Sequence, residues 1–165
     1  GALRGETVRA LVQNGIPVLG HIGLTPQSVH AMGGFRVQGR RPEEAERLLA
    51  DARALEQAGV FAIVLEGVPP ELGAAVTAAV RVPVIGIGAG PACDGQILVF
   101  HDLFGMTPPE ATPRFVKRYA ELGGVMKQAL AAYDADVKAG RFPAQSHCYA
   151  AAGDGVSAPP APTAS

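Results

Sequence analysis

The chain has 165 residues, of which 48% are apolar and 18% are charged, and its formal net charge is −1. This length is enough for one domain with a buried core, and the balanced charge excludes a domain built around a basic nucleic-acid footprint. No apolar run approaches the roughly 18 residues that span a membrane, and the two distant cysteines, Cys93 and Cys148, predict neither a disulfide framework nor a zinc site.

These features favour a cytoplasmic enzyme in a reducing compartment over a secreted module. The chain begins with Gly1, and no basic stretch with an apolar core follows it, so we do not expect a signal peptide there. Residues 149–165 are rich in alanine and proline and show no periodicity, which predicts a disordered tail. Residues 1–148 are expected to form the folded domain.

Predicted helices alternate with short apolar strands along the chain. In order, the predicted elements are a helix at 6–14, a strand at 16–19, a helix at 42–58, a strand at 60–65, a helix near 70–80, a strand at 82–87, and helices at 114–122 and 124–139. The stretch 94–104 is ambiguous. Short, uniformly apolar strands between helices are typical of a parallel α/β sheet, either an open doubly wound sheet or a closed barrel.

Glu66 is the first candidate for chemistry, because parallel sheets carry their functional residues at the carboxyl ends of strands. It directly follows the apolar run VFAIVL. A carboxylate in this position is desolvated, which favours a role as general base. The simpler interpretation is a strand-end glutamate that forms a salt bridge or caps a loop.

His21 stands at the equivalent point after the first predicted strand. An imidazole there could hydrogen-bond an anionic or carbonyl oxygen or ligate a metal ion, or its needs could be met by the backbone. His30, His101 and His147 lack such a context, and we assign them no role.

The loop after the third strand, residues 86–90, has the spacing G-x-G-x-G, which is neither the dinucleotide fingerprint nor a P-loop. Its glycines could admit a ligand close to the backbone or permit a tight corner. Arg36 and Arg40 could meet a phosphate or carboxylate, although such residues are more often solvated. Asp94 and Asp102 are isolated candidates for metal binding.

Three blocks resemble the ketopantoate hydroxymethyltransferase family. They are GIPVLGHIGLTPQSVHAMGGFRVQGR (15–40), VLEGVPPEL (64–72) and VPVIGIGAGPACDGQILVFHDLFGM (82–106). The resemblance covers about residues 1–147. It implies an α/β fold of the (β/α)8 TIM-barrel type, of which this chain covers roughly the C-terminal half. It also implies a cytoplasmic homo-oligomeric enzyme of pantothenate biosynthesis, which transfers a hydroxymethyl group from 5,10-methylenetetrahydrofolate to 3-methyl-2-oxobutanoate and gives 2-dehydropantoate.

The resemblance also implies roles for single residues. Glu66 matches the family's proposed base, and His21 matches the histidine that contacts the bound oxo acid. A Mg²⁺ ion polarises that acid as a Lewis acid, and its aspartate ligands belong to the first half of the barrel. We therefore expect no metal ligand in this chain and no activity from the chain alone.

Two alternatives remain open at this point. The chain could be a non-catalytic half-barrel subunit that needs a partner chain. It could instead belong to another magnesium-dependent oxo-acid carbon–carbon lyase of the same barrel type. Under any of these interpretations, small molecules are the expected ligands, and neither nucleic acid nor a membrane is an expected partner.

Overall fold

The computed structural model describes residues 2–25 and 36–150 of the chain. Residues 26–35, which include His30, lie outside the described residues, as does the predicted tail from residue 151 onward. The chain divides into two compact units, Gly1–Ala120 and Glu121–Ser165. No helix within the described ranges is both long enough and apolar enough to cross a membrane.

The first unit alternates helices with strands. Its elements in chain order are α1 (Gly5–Gln13), β1 (Leu19–Gly23), α2 (Pro42–Ala58), β2 (Ala62–Glu66), α3 (Pro70–Ala79), β3 (Val84–Ile87), β4 (Gly95–Gln96) and α4 (Phe100–Leu103). Short 3₁₀ turns occupy Ala2–Arg4 and Pro109–Ala111. The predicted helices at 6–14, 42–58 and 70–80 are confirmed to within a residue or two.

The four strands of the described residues form one sheet in the order β1-β2-β3-β4, and every neighbouring pair is parallel. This confirms the predicted parallel α/β class. At the carboxyl ends of the strands, the register places Gly23 beside Glu66 and Glu66 beside Ile87. β1 and β4 are the edges of this sheet, and the closed barrel stays a prediction.

One face of the sheet packs against the helices and forms the core. Ile22, Ile63, Leu65 and Val84 from the strands join Leu55, Val76 and other helix residues in a single buried cluster. Successive strand residues point to opposite faces, so His21, Val64 and Glu66 lie on the other face of the sheet. The alternation therefore separates the core from the candidate site.

Two glycines let the helices approach the sheet and its loops closely. A β-carbon on Gly20 in β1 would lie 2.9 Å from Leu55 Cδ1 of α2. A β-carbon on Gly73 in α3 would lie 2.0 Å from the carbonyl oxygen of Ala89, just after β3. The second contact is with backbone, so side-chain repacking could not relieve it.

The second unit contains α5 (Leu122–Lys138) and a 3₁₀ turn at Gln145–His147. α5 confirms the helix predicted at 124–139. The residues predicted to share one of its faces, Met126, Leu130, Tyr133 and Val137, are all exposed, and α5 has no buried residue.

The helix predicted at 114–122 is wrong. Hydrogen bonds to distant parts of the chain hold this stretch outside a helix: the Tyr119 amide donates to the carbonyl of Leu103 at 2.8 Å. The Arg118 guanidinium donates to the carbonyl of Thr107 at 2.7 Å and to Thr112 Oγ1 at 2.5 Å. An apolar periodicity alone does not reveal such contacts.

The predicted strands begin too early, and the first one is almost entirely misplaced. Predicted at 16–19, it runs from Leu19 to Gly23, and the other two begin at Ala62 and Val84. Pro17 and Pro83, which have no N–H to donate to a sheet ladder, stand just before β1 and β3. The stretch at 94–104, ambiguous in sequence, contains the short elements β4 and α4.

Candidate active site

His21 and Glu66 form a hydrogen-bonded pair at the carboxyl ends of β1 and β2. The distance from His21 Nε2 to Glu66 Oε2 is 3.0 Å. An ionised carboxylate can only accept hydrogen bonds, so the imidazole Nε2–H donates to it. The side chains are 30% and 14% exposed, respectively. Among the described residues, no donor is bonded to the second carboxylate oxygen, Oε1.

The strand register explains why these two side chains meet. His21 lies directly beside Val64, two residues before Glu66 on the neighbouring strand. Residues two apart on a strand share a face, so the imidazole reaches diagonally to the carboxylate. The turn after β1 adds a backbone tie, because the Leu24 amide donates to the carbonyl oxygen of Glu66 at 2.8 Å.

A cavity of about 1140 Å³ opens beside Glu66. Its walls are mostly apolar and come from the strand-end loops after β1, β2 and β3 and from the segment 99–115. Its lining includes Glu66, Ile87, Gly88, Val99, Asp102, Glu110, Arg114 and Phe115. A mostly apolar cavity with a few converging polar groups is typical of a small-molecule site.

The glycine loop after β3 both lines this cavity and packs tightly. Gly88 has φ +63°, and a β-carbon there would lie 2.5 Å from Phe115 Cδ1. Gly90 has φ +83°, and a β-carbon there would lie 2.7 Å from Pro70 Cβ. Packing against Phe115 and Pro70 accounts for both glycines, which favours the tight-corner interpretation over direct approach by a ligand.

The other residues that the sequence suggested for ligand or metal binding do not form one site in the structure. Arg36 is exposed and lines the cavity, and Arg40 is also exposed but does not line it. The Asp94 carboxylate accepts a hydrogen bond from the Val84 amide at 2.8 Å, which gives this residue a structural role at the start of β3. Within residues 2–25 and 36–150, no group of three or more His, Cys, Asp or Glu side chains could hold a metal ion.

Asp102 is a cavity residue that the sequence presented only as an isolated metal candidate. It is the buried charged residue of the described chain, with 8% exposure. Thr107 Oγ1 donates to its Oδ1 at 2.5 Å. The sequence around Asp102 did not predict this burial, because α4 is only a short helix between two loops.

A parallel α/β sheet that presents a carboxylate–imidazole pair beside an apolar cavity defines the chain as part of an α/β enzyme with a small-molecule site. Comparison with known proteins narrows this class. The sequence model of ketopantoate hydroxymethyltransferase matches residues 1–145. The chain belongs to the ketopantoate hydroxymethyltransferase family, a family of transferases.

Curated relatives match the same stretch. The 3-methyl-2-oxobutanoate hydroxymethyltransferase of Geotalea uraniireducens is 54% identical over 143 residues, which are 87% of this chain and 53% of that protein. The relative of the same name from Anaeromyxobacter sp. (strain K) is 56% identical over 149 residues, 90% of this chain and 48% of that protein. The relative of the same name from Syntrophomonas wolfei is 56% identical over 149 residues, which are 90% of this chain and 54% of that protein. The chain spans about half the length of the curated relatives it matches.

Proposed function

We propose that this chain is the base-carrying part of a 3-methyl-2-oxobutanoate hydroxymethyltransferase of pantothenate biosynthesis. The complete protein would transfer a hydroxymethyl group from 5,10-methylenetetrahydrofolate to 3-methyl-2-oxobutanoate, giving 2-dehydropantoate. The single observation that carries the proposal is the Glu66 carboxylate, held by His21 at a strand end and facing a cavity. The names of the relatives support the substrate and the reaction.

In the proposed reaction, Glu66 removes the proton from C3 of the oxo acid. Water cleaves the two C–N bonds of the methylene group, so tetrahydrofolate leaves with the two protons of the water and the carbon is released at the formaldehyde level. C3 adds to this carbon, and its oxygen takes up the proton that Glu66 removed. A general base must lie within hydrogen-bond reach of the proton it removes and be held in place. His21 occupies Oε2 of Glu66 at 3.0 Å and so leaves Oε1 as the oxygen that takes the proton.

The cavity is large enough for both reactants. Ligand pockets commonly measure about 300–1000 Å³, and this cavity measures about 1140 Å³. A five-carbon oxo acid fills only a small part of such a volume. The remainder would admit the flat ring system of the folate, which must approach the same carbon.

The fold that we propose for the complete protein is a (β/α)8 barrel. β1 to β4 would be four consecutive strands of it, and Glu66 and His21 would then lie at the carboxyl end of the barrel, where this fold carries its active sites. The parallel order of the four strands supports this assignment.

The described residues near Glu66 do not fit a magnesium site. Mg²⁺ prefers one or two carboxylates with several waters, but one oxygen of Glu66 already accepts from His21, and no ligand cluster is found in the described part of the chain. We propose that magnesium ligands come from the half of the relatives that this chain does not span, and that the chain alone does not turn over.

A chimera tests this proposal. The part of the Anaeromyxobacter sp. (strain K) relative that precedes the matched stretch is joined to Gly1, and 2-dehydropantoate formation is measured with magnesium, the oxo acid and 5,10-methylenetetrahydrofolate. The chimera should form the product and the 165-residue chain should not. Glu66→Gln in the chimera should lower the rate about 100-fold or more, as expected for loss of a general base.

Glu44→Gln is the matched control. Glu44 lies in the first turn of α2, where hydrogen bonding from Arg41 lowers its pKa, and it does not line the cavity. This variant should keep the rate of the chimera. A Glu66→Gln chimera that is as active as its parent would exclude Glu66 as the base.

A further inference from the structure

The Asp102 carboxylate lines the same cavity as Glu66 and is mostly buried, and it has no cationic partner among the residues that the structure describes. No ion pair of the described residues includes it. Its Oδ1 accepts from Thr107 Oγ1, and no second hydrogen bond to the side chain is found in residues 2–25 and 36–150. No buried side-chain oxygen or nitrogen there lacks a partner, so Oδ2 of Asp102 is accessible at the cavity wall.

A carboxylate in this setting calls for hydrogen-bond donors from a ligand. Burying a charge without a partner is costly, and the cost falls when donors complete its hydrogen bonding. The two oxygens of a carboxylate together accept two parallel N–H donors. The ligand edge that Asp102 fits is therefore one with two N–H groups side by side.

We propose that Asp102 recognises the pterin ring of the reduced folate, an inference that rests on the proposed function. The 2-amino-4-oxo edge of a pterin carries the N3–H and 2-amino donors next to each other, which is the pattern a carboxylate accepts. Ile87, Val99 and Phe115 line the same cavity and would contact the flat faces of the ring. Asp102 would then be the residue that selects a pterin donor.

Neither of the other acidic residues of the cavity lining fits this role as well. Glu66 has the proposed task of removing a proton, which requires its free oxygen Oε1 to face C3 of the oxo acid. Glu110 lines the cavity but is exposed, so water can meet its hydrogen bonds at no cost. Asp102 is 8% exposed, so its carboxylate can meet donors only on the side that faces the cavity.

The test compares pterin with lumazine (2,4-dioxopteridine), which has a carbonyl in place of the 2-amino group. Binding of each to the 165-residue chain is followed by the fluorescence of the pteridine, which no tryptophan obscures because the chain has none. The wild-type chain should prefer pterin by about 10-fold or more, the effect of one charge-assisted hydrogen bond replaced by a repulsive contact.

Asp102→Asn should reverse this preference. An asparagine amide presents one acceptor and one donor, which matches the N3–H and C2 carbonyl of lumazine. A variant that only loosens the fold would weaken both ligands and could not invert their order. Asp51→Asn, which removes a negative charge from α2, should keep the preference for pterin.

Several results would overturn the proposal. They are a wild-type chain that binds neither ligand or binds both equally, an Asp102→Asn chain that still prefers pterin, and a Glu110→Gln chain that inverts the preference. If Asp102→Asn does not fold, the Asp102 carboxyl carbon resonance of the wild-type chain decides. A shift on adding pterin, absent with lumazine, supports the proposal, and no shift overturns it.

This test separates the inference from the proposed function. Ring recognition is measured without the oxo acid, whereas the role of Glu66 is measured by product formation in the chimera. An active chimera whose chain does not distinguish pterin from lumazine would refute the role of Asp102 alone. A chain that selects pterin through Asp102, in a chimera that is inactive, would refute the proposed base chemistry alone.

Discussion

At the scale of single residues, the site depends on a contact that the sequence could not specify. Glu66 and His21 each stand after an apolar run, and each could be selected for that reason. Their 3.0 Å hydrogen bond depends on the register between β1 and β2, and a register is set by the packing of whole strands. The burial of Asp102 was even less predictable from the sequence, because it depends on how the loops around this residue fold.

The energy of the His21–Glu66 pair can be measured. Replacing His21 with leucine leaves a carboxylate that is 14% exposed without this donor, and we expect a loss of about 1–3 kcal/mol in the free energy of unfolding. Removing Glu66 as well, in His21→Leu/Glu66→Leu, should recover part of that loss, because no unpaired carboxylate remains. Urea unfolding of the two single variants and the double variant gives the coupling energy.

Glu66→Gln is the control for this cycle. Its amide oxygen can still accept from His21 Nε2, so the stability should fall by less than in His21→Leu. Strict additivity of the two leucine substitutions would show that the contact contributes nothing to the fold.

At the scale of helices and strands, local sequence signals specified the helices better than the strands. The helix at 42–58 was predicted at its observed bounds, because Pro42 at the start and Gly59 at the end are strong local signals. The predicted strand bounds differ from the observed ones, because an apolar run does not show which of its residues pair with a neighbouring strand. The false helix at 114–122 has an apolar pattern, but Arg118 and Tyr119 hydrogen-bond to residues 103–112 instead.

The contact of α3 with the end of β3 is the element-scale feature most sensitive to mutation. In Gly73→Ala, the new methyl group would lie 2.0 Å from the carbonyl oxygen of Ala89, so α3 must move away from the sheet. Overpacking of this kind costs about 1–3 kcal/mol, and urea unfolding should show a destabilisation of that size.

Gly124→Ala provides the same substitution where there is room. A β-carbon on Gly124 in α5 has nothing within 4 Å, and alanine is the better helix former by about 0.5–1 kcal/mol. The variant should be no less stable than the parent chain. Equal effects of the two substitutions would contradict the close approach of α3.

At the scale of the whole molecule, the site belongs to the unit Gly1–Ala120. The strand ends supply the base and its imidazole partner, and the segment 99–115 supplies Asp102 and Phe115. The parallel order of the strands was predictable from the alternation of helices and apolar runs. Which face would carry the site followed only from the pleat of β1 and β2, which places Ile22, Ile63 and Leu65 in the core and His21 and Glu66 on the other face.

Proton abstraction by Glu66 is the central claim, and deuterium exchange at C3 of 3-methyl-2-oxobutanoate tests it most directly. The reaction needs no folate, and proton NMR in D2O with magnesium follows the loss of the C3 signal. We expect exchange by the chimera, none by the chimera with Glu66→Gln, and none by the 165-residue chain alone. Exchange that persists at the parent rate after Glu66→Gln would show that another group removes the proton, and would contradict the account.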